Sequence, residues 1–165
     1  MKTLLAILVV LVVALALFWS GTTTGILPDG IPKGIPVAEL DPASPHPEIG
    51  LIAPLPSWIP LPDTGNVISA GVYPPQPPYG AAAVVMVSTD LSSTDFAAGY
   101  GRRLDGAGFA MRQIPNPPNL VIDAPELSFE ADERKGGRVV YVTMRNGFGV
   151  RVAQLTFWDV PAPHL

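Results

Sequence analysis

Two histidines, fourteen carboxylates, ten cationic side chains and no cysteine are the whole stock from which this 165-residue chain could build a reactive site. The missing thiol excludes disulfides, thiolate metal sites, thiol nucleophiles and a lipidated cysteine anchor. His46 lies in a proline tract and His164 one residue from the end of the sequence. Neither position promises the rigid support that an imidazole base or metal ligand needs. The acidic pairs are Glu126 with Glu130, on one side of an alternating stretch, and Asp132 with Glu133, beside Arg134, Lys135 and Arg138. Both patterns describe solvated charge, as does the adjacent pair Arg102 and Arg103 on the polar side of a helix. Gly99-Tyr100-Gly101 has no third glycine at dinucleotide spacing, and no HExxH, GxSxG, P-loop or calcium-loop pattern occurs. The expectation is a non-enzymatic chain with no catalytic, cofactor-binding or metal residues.

Leu61-Pro62-Asp63-Thr64-Gly65 resembles two known patterns. It is similar to the LPxTG signal that sortases cleave, but that signal stands near a C-terminus before an apolar span, and here a whole domain follows. Asp63-Thr64-Gly65 also resembles the aspartic-protease motif, whose chemistry needs a second carboxylate of the same kind. No second copy is present, so the stretch reads as a turn into a strand.

The elements that would position any site centre on residues 81–114. Val84 to Val87 is an apolar, β-branched run of strand length, suited to a strand covered on both faces. Ser92 with Asp95 three residues on is a helix start. Phe96, Tyr100, Leu104 and Ala107 then share one helical face, and Gly108 stands where a left-handed cap would end the helix before Phe109 opens a strand. This unit resembles small exported bacterial domains of undefined function, a likeness that names no family and transfers no site.

Composition is uneven. Leu4 to Trp19 is sixteen residues without a polar group, and with its flanks it reaches the length of a membrane-spanning helix. A cleavable signal peptide is the competing reading, with Ala14-Leu15-Ala16 as its small-residue pattern, but Leu17-Phe18-Trp19 prolongs the apolar run. Lys2 precedes the segment, and the next cation is Lys33. The positive-inside rule therefore puts the N-terminus in the cytoplasm and the remainder outside. Ten of the twenty prolines lie between Pro28 and Pro62. Residues 22–65 read as a proline-rich linker; extended as polyproline, about 40 residues would reach roughly 100 Å. Ile49, Leu51, Ile52, Leu55, Trp58 and Ile59 argue that part of it packs, preferably on its own domain.

Strand patterns follow at 67–73, 84–87, from 109, 126–131, 138–145 and 150–158. The expected fold is α+β: a mostly antiparallel sheet of five to six strands, one helix on one face, residues 66–160, with a tail at 161–165. Pairing Arg145 with Val150 and Ala131 with Arg138 makes apolar rows Phe129–Val140–Leu155 and Leu127–Val142–Ala153 facing the helix. The other face is left with Val139, Tyr141, Thr143, Val152, Gln154 and Trp158, poor in charge for a solvated surface. Either the proline segment, through Leu55, Trp58 or Ile59, or a protein partner should cover it. From Val67 on there are eight basic and nine acidic residues, which gives no field for nucleic acid. The reading is a bacterial single-span protein of the cytoplasmic membrane, held in the bilayer through residues 3–21. Its small domain lies outside the cytoplasm, periplasmic or extracellular, or is secreted if the segment is cleaved. Its expected role is a protein-interaction module of a membrane or envelope complex; a small-ligand binder using the helix–sheet crevice is the alternative.

Overall fold

The computed structural model describes residues 33–75, 80, 82–113, 125–147 and 150–159. The apolar segment at 3–21, the stretch at 22–32, the break at 116–119 and the tail at 161–165 lie outside the described residues. No helix among the described residues is long and apolar enough to cross a membrane.

Seven strands form one antiparallel sheet: β1 (Ile35–Pro36), β2 (Asn66–Tyr73), β3 (Ala82–Thr89), β4 (Phe109–Gln113), β5 (Leu127–Glu133), β6 (Arg138–Gly147) and β7 (Val150–Asp159). Among the described residues one α-helix, α1 (Ser93–Gly106), joins β3 to β4. The spatial order is β1-β2-β3-β7-β6-β5-β4, so α1 carries the chain across three strands to the far edge. The class is α+β. The strand absent from the sequence reading is β1, a two-residue edge that pairs Ile35 with Val67 and Pro36 with Asn66. Proline is tolerated there because an edge strand has one side free of the ladder.

Local chemistry explains the helix. The Ser92 hydroxyl accepts from the Asp95 amide at 3.1 Å and caps the first turn. Phe96, Tyr100 and Leu104 are buried, whereas Ala107 is the exposed C-cap rather than a fourth member of the buried face. Gly108 follows at φ 91°, the left-handed conformation that ends helices. At Gly101 an added Cβ would meet only the end of the flexible Met111 side chain on β4. At Gly99 no neighbour constrains a side chain.

The core lies on one face of the sheet. Its rows run Ala83–Phe157–Val140–Ala131, Val85–Leu155–Val142–Phe129 and Val87–Ala153–Met144–Leu127 across β3, β7, β6 and β5. All but Leu127 are buried. Both hairpins are shifted by two residues from the sequence expectation. Phe129 stands opposite Val142 rather than Val140, and Val142 opposite Leu155 rather than Ala153. The hairpin closes at Gly147 and Val150, and Asp132 pairs with Val139, so both loops are tighter than expected. A two-residue shift preserves every side-chain face because the strand period is two, so the apolar set stays inward.

Two layers cover these rows. Helix α1 packs against β4 and β5. Over the rest lie residues of the proline-rich segment: Leu40, Ile49, Leu51 and Leu55 are buried in the same cluster, with Trp58, Ile59 and Leu61 packed against it. Trp58 meets Phe157 edge to face at 6.1 Å, and the buried Tyr100 hydroxyl donates to the Pro60 carbonyl at 2.8 Å. From Ile35 to Pro62 the chain is therefore folded against the sheet and not extended away from it. Two short 3-10 turns, Val37–Glu39 and Pro47–Ile49, substitute for the periodic structure that proline forbids. Asp63-Thr64-Gly65 is the bend into β2. Gly65 holds φ 109°, and a Cβ there would come within 2.7 Å of the Ser88 carbonyl oxygen.

Candidate functional site

All six residues singled out from the sequence lie on the face turned away from the core, and all are half-buried. The register sets Val139 directly opposite Trp158 and Thr143 opposite Gln154, while Tyr141 faces Thr156 and Val152 faces Arg145. They are spaced by two residues along β6, and by two and four along β7, even steps that put them on one face of the pleat. The structure does not bring Leu55, Trp58 or Ile59 to this face. They pack on the inner side, so the expected cover by the proline segment is corrected: that segment completes the core.

The surface is wider than the sequence indicated. Because β3 lies beside β7, Val84 and Met86 extend it, with Val84 opposite Thr156 and Met86 opposite Gln154. The run Val84–Val87 led to an expectation of burial on both faces, yet only Val85 and Val87 are sealed, and Val84 and Met86 are half-buried. Alternation was masked because both sides of that strand are apolar. Tyr73, Gly71 and Ser69 of β2 continue the same rows. Across the sheet, one row reads Gly71–Val84–Thr156–Tyr141–Glu130–Arg112, running from small and apolar to charged.

Charge gathers at the margins. Arg112 is paired with Glu130 toward the β4 edge, and Arg151 donates to Glu126 at 3.0 Å. Arg138 reaches Glu133 at 3.2 Å and also stands 5.0 Å over the Trp58 ring. The acidic residues that might have worked as a pair are thus three members of separate ion pairs, with Asp132 exposed. Burial, aided by the Glu130 carboxylate, pushes the Tyr141 phenol above its ordinary value, with Arg145 opposing. Tyr141 is therefore a neutral hydrogen-bonding group at physiological pH, with an apolar ring below its hydroxyl.

A concavity lies on the helix side. An open groove of about 490 Å³ runs between Ser57–Pro60 and Asp63 on one wall and Arg102, Arg103, Gly106 and Ala107 on the other. Arg103 stands 3.8 Å from Asp63, with both side chains largely exposed, an arrangement that contributes little stability. The two arginines flank the C-terminal end of α1, where cations offset the negative end of the helix dipole. The crevice between helix and sheet is itself filled by Phe96, Tyr100, Leu104 and Phe129, with Tyr100 5.7 Å from Phe96 and 6.5 Å from Phe129.

His46 is held in a local loop. Its Nε2 lies 3.0 Å from the Asp41 carbonyl oxygen and its Nδ1 3.2 Å from Glu48 Oε1. His164 lies outside the described residues. Among the described residues no three His, Asp or Glu side chains gather as a metal site. Comparison of the chain with protein-family models, curated proteins and solved structures finds no match.

Proposed function

We propose that this chain is a membrane-anchored, non-enzymatic interaction module of a bacterial membrane or envelope complex, with the outer sheet face as its binding surface. The observation that carries the reading is the composition of that face. Val84, Met86, Val139, Tyr141, Thr143, Val152 and Gln154 occupy its central strands, and the ion pairs stand toward its margins. An apolar and aromatic centre with a charged rim is the anatomy of protein interfaces, whereas a solvated sheet face alternates to charge along its whole length. The anchor is the apolar segment Leu4–Trp19, with Lys2 directing the N-terminus to the cytoplasm. Between Gly21 and Lys33 lie eleven residues, a tether of at most about 40 Å, not the long stalk that the proline content suggests. The domain therefore works close to the bilayer, on a partner that is itself membrane-bound or membrane-adjacent.

The test is affinity purification of the full-length chain from membranes in mild detergent, wild type against Tyr141→Glu. A carboxylate at the centre of a desolvated contact should abolish co-purification while the circular dichroism and melting of the variant match wild type. Unchanged co-purification would remove the outer face from the reading. A second reading, an anchored or secreted binder of small ligands, has the groove at Ser57–Pro60 as its place, where Ser57, Asp63, Arg102 and Arg103 converge. It requires ligand-dependent melting that Arg102→Ala abolishes and Tyr141→Glu leaves intact.

A further inference from the structure

We propose that β4 is a dimerisation edge: two copies of this chain pair β4 with β4, antiparallel, about a two-fold axis at Met111, and join their sheets into one. The two ends of the sheet are built differently. At one, β1 pairs with the start of β2, and the Pro47–Ile49 turn packs on the same strand. At the other, β4 is the last strand, and no described residue pairs with its outer side. A strand left open in this way is a template for another.

The ladder decides which backbone groups are free. The Arg134 amide donates to the Gly108 carbonyl at 2.9 Å, and β4 keeps that register with β5 from Phe109–Glu133 to Gln113–Phe129. Hydrogen-bonded pairs alternate along an antiparallel ladder, so Ala110 and Arg112 turn their amides and carbonyls toward β5, while Phe109, Met111 and Gln113 turn theirs outward. Three outward residues centred on Met111 are complementary to themselves. Met111 meets the partner's Met111 and Phe109 meets the partner's Gln113, for about six backbone hydrogen bonds. A pairing centred on Arg112 sets arginine against arginine, which is repulsive. One centred on Ala110 uses only Phe109–Met111, because Gly108, at φ 91°, already belongs to the helix end.

Side chains on both faces suit a second copy. On the helix side Met111 is a large apolar side chain left 44% exposed, although it stands opposite the buried Ala131. At the axis it closes against the partner's Met111 and carries the core row across the junction. On the outer face Arg112 stands beside the partner's Ala110, whose small side chain leaves a path to the partner's Asp132, the next residue across. Asp132 is exposed and forms no ion pair among the described residues. The two-fold axis makes the exchange reciprocal, so each Arg112 lies between its own Glu130 and the partner's Asp132. The pairing takes up the edge alone and leaves the outer face of the sheet open.

Light scattering on the full-length chain in detergent micelles, corrected for bound detergent, tests this. Wild type should have the protein mass of a dimer. Met111→Lys places two cations at the axis and should halve that mass while the circular dichroism stays that of wild type. Met111→Pro should do the same, since it removes an outward amide and spares the ladder between β4 and β5. Because the chain has no cysteine, single-cysteine variants read the register. Met111→Cys should oxidise to a disulfide-linked dimer, its two Cα atoms lying about 5.5 Å apart across the axis. Ala110→Cys lies diagonal to its own counterpart at about 7–8 Å and should oxidise roughly tenfold more slowly. If Met111→Lys loses the wild-type circular dichroism, the two cysteine variants decide alone. A monomeric wild type, a dimer that a well-folded Met111→Lys leaves intact, or equal oxidation at the two positions overturns the pairing.

Discussion

Tyr100→Phe isolates a single bond between the helix and the proline-rich layer. The hydroxyl of Tyr100, buried to 2% exposure, donates to the Pro60 carbonyl at 2.8 Å across 40 residues of chain. Removing it keeps the ring against Phe96 and Phe129 but leaves a carbonyl on the buried Pro60 without that donor. Loss of the bond together with the stranded acceptor should cost about 1–3 kcal/mol. For a domain of this size that lowers the melting midpoint by roughly 3–10 °C. The variant also changes the alkaline limb. Burial raises the phenol pKa far above its ordinary value, so the unfolded chain releases this proton first as pH rises past about 10. Stability that is fully present below that point is lost above it. Tyr73 and Tyr141, also shifted upward by burial, contribute a smaller decline in both proteins, so Tyr100→Phe should show a shallower alkaline fall rather than none. Urea denaturation followed by tryptophan fluorescence, between neutral pH and about pH 11, reads both effects. A variant as stable as wild type at neutral pH, with the same alkaline slope, would refute the coupling of helix to proline segment through this bond.

Phe129→Ala empties the β5 end of the Val85–Leu155–Val142–Phe129 row and should cost about 3–5 kcal/mol by urea denaturation. Ser92→Ala removes the acceptor at the helix start and should cost about 1 kcal/mol, measured the same way. Gly65→Ala meets the backbone at Ser88 in a left-handed conformation and should destabilise by more than about 1 kcal/mol. Gly101→Ala meets only the flexible, partly exposed end of Met111 and gains helix propensity, so its melting midpoint should stay near that of wild type.

Much of the sheet and the helix was legible because their signals are local. The Ser92 cap, the Phe96–Tyr100–Leu104 face and the alternation in Leu127–Phe129–Ala131 depend on spacing that a sequence displays directly. Ala107 falls outside the buried face because the helix has already ended there. Register was readable only to its parity: alternation fixes which face a residue takes, but loop length fixes its partner, and both hairpin loops are tighter than their turn residues suggested. The inner role of Leu40, Leu51, Leu55 and Trp58 carried no periodic signal, since proline breaks both the helical and the strand repeat. Their apolar character was visible, but the surface they cover was not. The outer face was found by subtraction, from residues left over once the core rows were assigned, and its extension through Val84 and Met86 required knowing that β3 neighbours β7.

The position of β7 has a consequence for how the chain comes together. It is the last described strand to be synthesised, and it lies in the middle of the sheet, between β3 and β6. Until Val150–Asp159 is available, β1–β2–β3 and β4–β5–β6 are separate half-sheets, each with an unpaired edge where the final strand belongs. Open edges of this kind recruit other chains, and pairings between distant residues form slowly. Folding therefore waits on the final strand, and a chain in transit, with its two halves made and its centre missing, is the species most exposed to aggregation.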